Sequence, residues 1–265
     1  MRNTRLRAAL EWAGVAAFWL LVWFLAARKV DLELLLPSPI RVLERLRELI
    51  VTASFWQAAA ASFGRVLSGA LAGVAAGTLL AIAGAACPPL RRLMMPLLAI
   101  VRATPVASFI LLALVWLERN VLPAFMAALI VLPVVWGNLD AGIAAIDPAL
   151  RELAKSYHLS PLRRLRRIDI PSVMPHFVSA CRASLGMAWK AGIAAEVLCT
   201  PPVSIGRHLY ETKLYLETAD LFAWTLTVIL LSVGIEYVFM ALLGRAAKKR
   251  NGIPAKICTR RPADA

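Results

Sequence analysis

Apolar runs of about twenty residues alternate along the chain with short polar segments, most of them basic. The runs at 8–27, 66–86, 96–117, 121–139, 177–198 and 220–243 are each near the ~20 helical residues that ~30 Å of hydrocarbon requires, and they predict six membrane-crossing helices. The first, AALEWAGVAAFWLLVWFLAA, outruns a signal-peptide core and ends in RKVD without a cleavage site, so it reads as an uncleaved span. After it, SPIRVLERLRELI (38–50) places Ile40, Leu43, Leu46, Leu49 and Ile50 at helical spacing with charges on the other face. That pattern predicts an amphipathic helix lying on the membrane surface, too charged to cross. Gly69, Gly73 and Gly77 recur every four residues, which lets helix backbones approach closely in lipid. Pro105 and Pro133 fall inside the third and fourth runs and predict fixed bends.

Composition agrees with the pattern. The 265 residues are 60% hydrophobic and 17% charged, against roughly 45–50% and about 25% for a soluble domain. A net charge of +14 would suit nucleic acid, but its placement has a simpler cause. Lys and Arg concentrate at 2–7, 91–92, 151–167 and 245–261, and are fewer at 28–47, 119 and 207–213. Cytoplasmic loops carry such an excess, so both termini are expected in the cytoplasm, with no nucleic-acid role. Cys87, Cys181, Cys199 and Cys258 show no metal-ligand spacing, and Cys181 and Cys199 read as buried small side chains.

One stretch breaks the apolar pattern: DPALRELAKSYHLSPLRRLRRIDIPSVMP, from 147 to 175. Asp147-Pro148 is a helix start, an acid at the N-cap and proline where no N–H is needed. Leu150, Leu153, Ala154 and Tyr157 then form one apolar stripe, with Arg151, Glu152, Lys155 and Ser156 off it. Ser160-Pro161 starts a second helix, with Leu162, Leu165 and Ile168 on one face and Arg163, Arg164, Arg166 and Arg167 around it. Pro171 and Pro175 are expected to end that helix. The product is a capped helix–turn–helix outside the membrane. Spacing alone leaves two roles open: contact with anionic lipid, or docking to a protein.

The run Glu152-Leu153-Ala154, a turn at 158 and Ile168-Asp169-Ile170-Pro171 closely resembles the EAA loop of binding-protein-dependent ABC importer permeases. LPSPIRVLERL (36–46), SFGRVLSG (62–69), LRRLMMPLLAIVRATP (90–105), IDPALRELAKS (146–156) and SLGMAWKAGIAAEVL (184–198) are similar to the nitrate/sulfonate/taurine branch of that family. The resemblance implies an all-α integral membrane protein of the type I permease fold: six transmembrane helices and a cytoplasmic coupling-helix loop. It divides the chain into an N-terminal helix (1–34), the permease domain (35–243, loop 147–175) and a basic cytoplasmic tail (244–265).

It further implies a permease subunit in the cell inner membrane, importing a small solute such as nitrate, a sulfonate or taurine. The implied partners are a cytoplasmic ATPase, an extracytoplasmic substrate-binding protein, a second permease copy and membrane lipid. Glu152, Leu153, Ala154, Tyr157, His158, Ile168, Ile170 and Pro171 would then form the ATPase contact, Ala154 allowing close approach. This sequence departs from the motif at Leu153 and at His158, where the family has glycine. Glycine would permit φ > 0 at that turn, and histidine enters that region at a cost. A catalytic His158 has no acidic partner in the sequence pattern to support it.

No phosphate-binding G-x-x-x-x-G-K-[ST] occurs, nor G-x-S-x-G or H-E-x-x-H. The chain is therefore expected to be no enzyme and to hold no cofactor or metal, with ATP bound by the partner subunit. Charges inside hydrocarbon cost about 2.5–3.5 kcal/mol each on insertion scales, which marks Lys190, Arg182, Glu196 and Glu236 as candidates for a translocation path. For Arg182, Glu196 and Arg65 the plainer expectation is pairing within the bundle or reach to an interface. Lys190 lies mid-span and would suit an anionic solute. A rival reading is a gradient-driven secondary transporter, with Lys190, Glu196 and Glu236 as an ion or proton relay.

Overall fold

The computed structural model describes residues 2–251; the rest of the basic tail, with Cys258, lies outside the described residues. These residues form helices with no strand among them: α1 (Arg2–Val30), α2 (Pro39–Ile50), α3 (Ala53–Ala86), α4 (Pro88–Ala103), α5 (Val106–Ala113), α6 (Leu122–Ala144), α7 (Pro148–Ser156), α8 (Pro161–Arg164), α9 (Ile170–Cys199), α10 (Ile205–Leu214) and α11 (Thr218–Asn251). Four are long and apolar enough to cross a membrane: α1, α3, α6 and α11.

The predicted third crossing, 96–117, is not one helix. It is α4 and α5, bent by 102°, apolar enough together to pass as a fifth, broken span or as a re-entrant pair. The break falls at Thr104-Pro105, where Thr104 is extended (φ −78°, ψ 132°) as residues before proline prefer. Pro133 does not break α6. The predicted crossing at 177–198 is a continuous 30-residue helix, α9, long enough to span but outside the set that hydropathy alone selects. Its Arg182, Lys190 and Glu196 lower its apolar character.

The chain clusters into two compact units, and α3, α9 and α11 each contribute to both. One comprises residues up to Val66, Ala107–Pro123 and Gly192–Leu230. In it α2 forms where the periodicity predicts a helix, but the expected stripe is divided between the protein and the exterior. Ser38 caps it, Pro39, Val42 and Leu46 are buried, and Ile40, Leu43 and Ile50 face outward. Arg45 pins α2 to α11 through a two-pronged pair with Asp220, Nη2 to Oδ2 at 2.7 Å. That carboxylate, first through its hydrogen bond, holds the Arg45 pKa above its ordinary value. Phe55 packs on Trp224, which in turn stacks on His208 with centroids 4.5 Å apart.

The other unit comprises Leu67–Val106, Ala124–Ala191 and the chain from Leu231 onward. Here α3 meets α6 along the glycine ladder. A Cβ on Gly73 would lie 2.7 Å from the Ala128 carbonyl oxygen, and one on Gly77 2.7 Å from that of Leu132. Nothing larger than glycine lets the two backbones approach so closely, as the spacing predicted. Arg91 of α4 grips Asp140 of α6 with two hydrogen bonds of 2.6 and 2.8 Å.

Candidate functional site

The loop at 147–175 begins as its sequence dictates. The Asp147 carboxylate accepts from the Ala149 N–H at 2.8 Å, and Pro148 opens α7. The helix closes in a Schellman arrangement: His158 N–H donates to the Lys155 carbonyl and Leu159 N–H to that of Ala154, both at 3.0 Å. His158 occupies the left-handed position with φ 47°. The turn geometry that glycine would favour is therefore kept, at the cost a side chain adds there. Leu216 does the same at the end of α10, with φ 57° and the Glu217 N–H on the Thr212 carbonyl.

Ala154 is buried, with 3% of its surface exposed. The rest of the stripe is open: Leu150 is 38% exposed, Leu153 51% and Tyr157 72%, while Glu152 also faces outward. Leu162, Leu165, Ile170 and Pro171 are exposed too, and Ile168 is half-buried. The loop thus presents an apolar edge, rimmed by Glu152 and the Arg cluster, that nothing among the described residues covers.

Pro171 and Pro175 do not stop the second helix, contrary to expectation. After α8 a π-helical turn spans Leu165–Asp169, closed by the Ile170 N–H on the Leu165 carbonyl, and α9 follows directly. The widened turn takes up the ring and missing N–H of Pro171, and Pro175 lies within α9. Arg164 pairs with Asp169 across this turn at 3.2 Å. The helix that starts in the loop therefore continues, without a break in the chain's helical course, to residue 199.

The charges of the spans separate into two kinds. Glu196 is fully buried. Its carboxylate accepts from Ser62 Oγ at 2.6 Å, Arg65 Nε at 2.9 Å and the Gly206 N–H at 3.2 Å. Ser62 Oγ also accepts from the Ile205 N–H at 2.9 Å, and Arg65 reaches the Val203 carbonyl. One carboxylate thus fastens α3, α9 and the start of α10 together. Glu196 is paired within the protomer, with Arg65 as its cationic partner. Arg182 and Glu236 approach to 4.0 Å with both side chains exposed. Lys190 faces outward on α9 and has no carboxylate partner among the described residues, while Trp189 beside it is buried. Sequence spacing did not reveal α10 or its attachment; the Ser204 N-cap, which accepts from the Arg207 N–H at 3.0 Å, was the available local signal. Among the described residues no cluster of His, Cys, Asp or Glu could hold a metal.

Comparison with known proteins places this geometry in context. Residues 73–251 match the family described as binding-protein-dependent transport system inner membrane component. The chain is 26% identical over 242 residues to the taurine transport system permease TauC of Escherichia coli, covering 88% of this chain and 86% of that one. It is 29% identical over 215 residues to the bicarbonate transport system permease CmpB of Synechocystis, covering 75% and 74%. A putative aliphatic sulfonates transport permease, SsuC of Bacillus subtilis, is 23% identical over 189 residues, covering 71% and 68%. The fold is shared with a chain of an amino acid ABC transporter crystallised with histidines, at a TM-score of 0.56 and 17% identity, covering 71% of this chain and 90% of that one.

Proposed function

The chain belongs to the family of binding-protein-dependent transport system inner membrane components, and from that membership we propose how its parts divide the work of import. It is a multi-pass permease subunit of an ABC importer, which sets aside the gradient-driven alternative. The family works with an ATPase and a binding protein. In the arrangement we propose, the loop at 147–175 docks on a separate cytoplasmic ATPase chain, which binds and hydrolyses the ATP. Both termini then lie in the cytoplasm. The exposed edge of Leu150, Leu153 and Tyr157 supplies the apolar contact, Glu152 the charged one, and Ala154 the close approach.

The observation that carries this reading is the helical course from 161 to 199. A push on the loop travels along a helical rod instead of being dissipated in a flexible link, and the same rod carries Lys190. Two copies of the chain enclose the path, and the outward face of α9 with Lys190 lines it. The cargo is a small solute that carries an oxyanion group: relatives of this chain are named for taurine, bicarbonate and sulfonates, and a mid-span cation suits such a group. The exposed face of α2 rests on lipid.

Glu152→Lys tests the docking. In proteoliposomes holding the assembled importer, ATPase activity stimulated by the loaded binding protein should fall at least about tenfold, the effect of reversing one charge at a coupled contact. Unchanged stimulation would remove Glu152 from the ATPase interface.

A further inference from the structure

Arg102, in the last turn of α4, is a cation that neither the loop nor the Glu196 junction uses. Its guanidinium donates to the carbonyl of Pro133 in α6. Pro133 has eleven residues of α6 on either side, so it sits at the middle of a helix that is apolar up to Gly137 and carries Asn138 and Asp140 beyond it. At 1.5 Å per residue, each end of α6 is roughly 16 Å away, farther than an arginine side chain can reach. Arg102 therefore cannot escape to a headgroup region in the way interfacial arginines do.

It is not neutralised by pairing either. Arg65 has Glu196 and Arg91 has Asp140, whereas Arg102 makes no ion pair among the described residues. A charge exposed at mid-depth without a counter-ion faces protein or water, since hydrocarbon would expel it. Its seat is also built. The guanidinium lies directly against Gly137, where a Cβ would collide with its terminal nitrogen. Glycine in the middle of a helix costs about 1 kcal/mol relative to alanine, and here it opens the slot. Among the described residues one acceptor, a backbone carbonyl, engages the fork, which leaves further N–H donors free. Beside it the chain leaves helical geometry at Thr104-Pro105, with Pro105 exposed. Irregular backbone at membrane depth is tolerated where it is covered by protein or lines a water-filled cavity.

We propose that Arg102 is the fork by which the translocation path recognises the oxyanion group of its solute, a specificity-determining residue seated by Pro133 and Gly137. The proposal rests on the reading that the cargo carries an oxyanion group. A guanidinium suits a planar or tetrahedral oxyanion because two parallel N–H donors match two oxygens, which an ammonium such as Lys190 cannot do. Carboxylates, sulfonates and bicarbonate all present that pair of oxygens.

The test uses the assembled importer with its ATPase and binding protein in proteoliposomes, assayed with labelled taurine, bicarbonate and nitrate. Arg102→Gln should lower uptake of the carried solute at least about tenfold, the loss of one charge-assisted contact, while loop-driven ATPase stimulation persists. Arg102→Lys should keep part of the rate but change the preference among the three solutes. Gly137→Ala keeps the charge and removes its seat. It should lower uptake while leaving thermal stability equal or higher, and it decides the matter if Arg102→Gln fails to assemble. Wild-type uptake and selectivity in both Arg102→Gln and Gly137→Ala would overturn the role of Arg102. A wild type that carries none of the three solutes would overturn the oxyanion reading beneath it, a distinct result.

Discussion

Glu196 and Lys190 lie six residues apart on one helix, yet they live in opposite circumstances. Glu196 is wholly buried, and hydroxyl, guanidinium and backbone N–H groups converge on its carboxylate. Lys190 faces out of the protomer with no carboxylate on it among the described residues. Both are ionisable residues in a predicted span, and hydropathy treats them alike. The difference teaches that a charge in an apolar helix is assigned by how fully its hydrogen-bonding capacity is used inside the protomer. A satisfied charge holds the fold together. An unsatisfied one on the same helix awaits something from outside.

The comparison is broken most forcefully at Glu196. Glu196→Gln leaves Arg65 without its counter-ion and loosens the start of α10, and removing one member of a buried pair costs about 3–5 kcal/mol. The purified chain in detergent should unfold many degrees lower, and Cys199, buried nearby on α9, should become open to thiol reagents. Replacing both partners, Arg65→Met with Glu196→Leu, should recover part of the loss, because an apolar pair leaves no orphaned charge. If Glu196→Gln unfolds like the wild type, the junction is ornamental and the contrast with Lys190 collapses.

Lys190→Met probes the other side. Stability should hold or rise, since a mid-span lysine costs about 2.5–3.5 kcal/mol on insertion scales and methionine does not. Uptake by the assembled importer should fall about tenfold, equivalent to about 1.4 kcal/mol of lost interaction. A destabilised but fully active variant would reverse the assignment and make Lys190 the structural residue.

Much of this was legible along the chain because the signals are local. The caps at Ser38 and Asp147, the amphipathic period of α2 and the glycine ladder of α3 each lie within one turn or one helix face. The EAA-like loop could be read for the same reason, including the strain expected at His158, whose φ of 47° keeps the glycine turn. What escaped depends on partners far apart in sequence. Ser62 and Glu196 are separated by 134 residues, and Arg102 and Pro133 by 31. No periodicity encodes such pairs. The run through Pro171 was missed for another reason: the rule that proline ends a helix assumes α geometry, and a π turn removes the clash on which that rule depends.

The gentlest test of the contrast uses protons in place of mutations. His208, on α10 beside the Glu196 junction's attachment, stacks on Trp224, and burial pushes its pKa below the ordinary histidine value; nearby Glu211 opposes this shift and Arg207 adds to it. A group whose folded pKa is depressed binds more protons when unfolded. Its contribution to stability is therefore complete above about pH 6.5, the unfolded value, and is lost as pH falls through and below that point. Lowering the pH from 7.5 to 5.5 should reduce the unfolding temperature of the wild type by more than that of His208→Gln, which lacks the titrating ring. Loss of stacking should lower the variant at both pH values, so the difference between the two slopes carries the answer. Lys190→Met leaves the His208 ring and its stacking on Trp224 in place, so it should retain the wild-type slope. Equal slopes for wild type and His208→Gln would mean that α10 is packed too loosely to hold a neutral imidazole, and the junction that anchors it would be weaker than its hydrogen bonds imply.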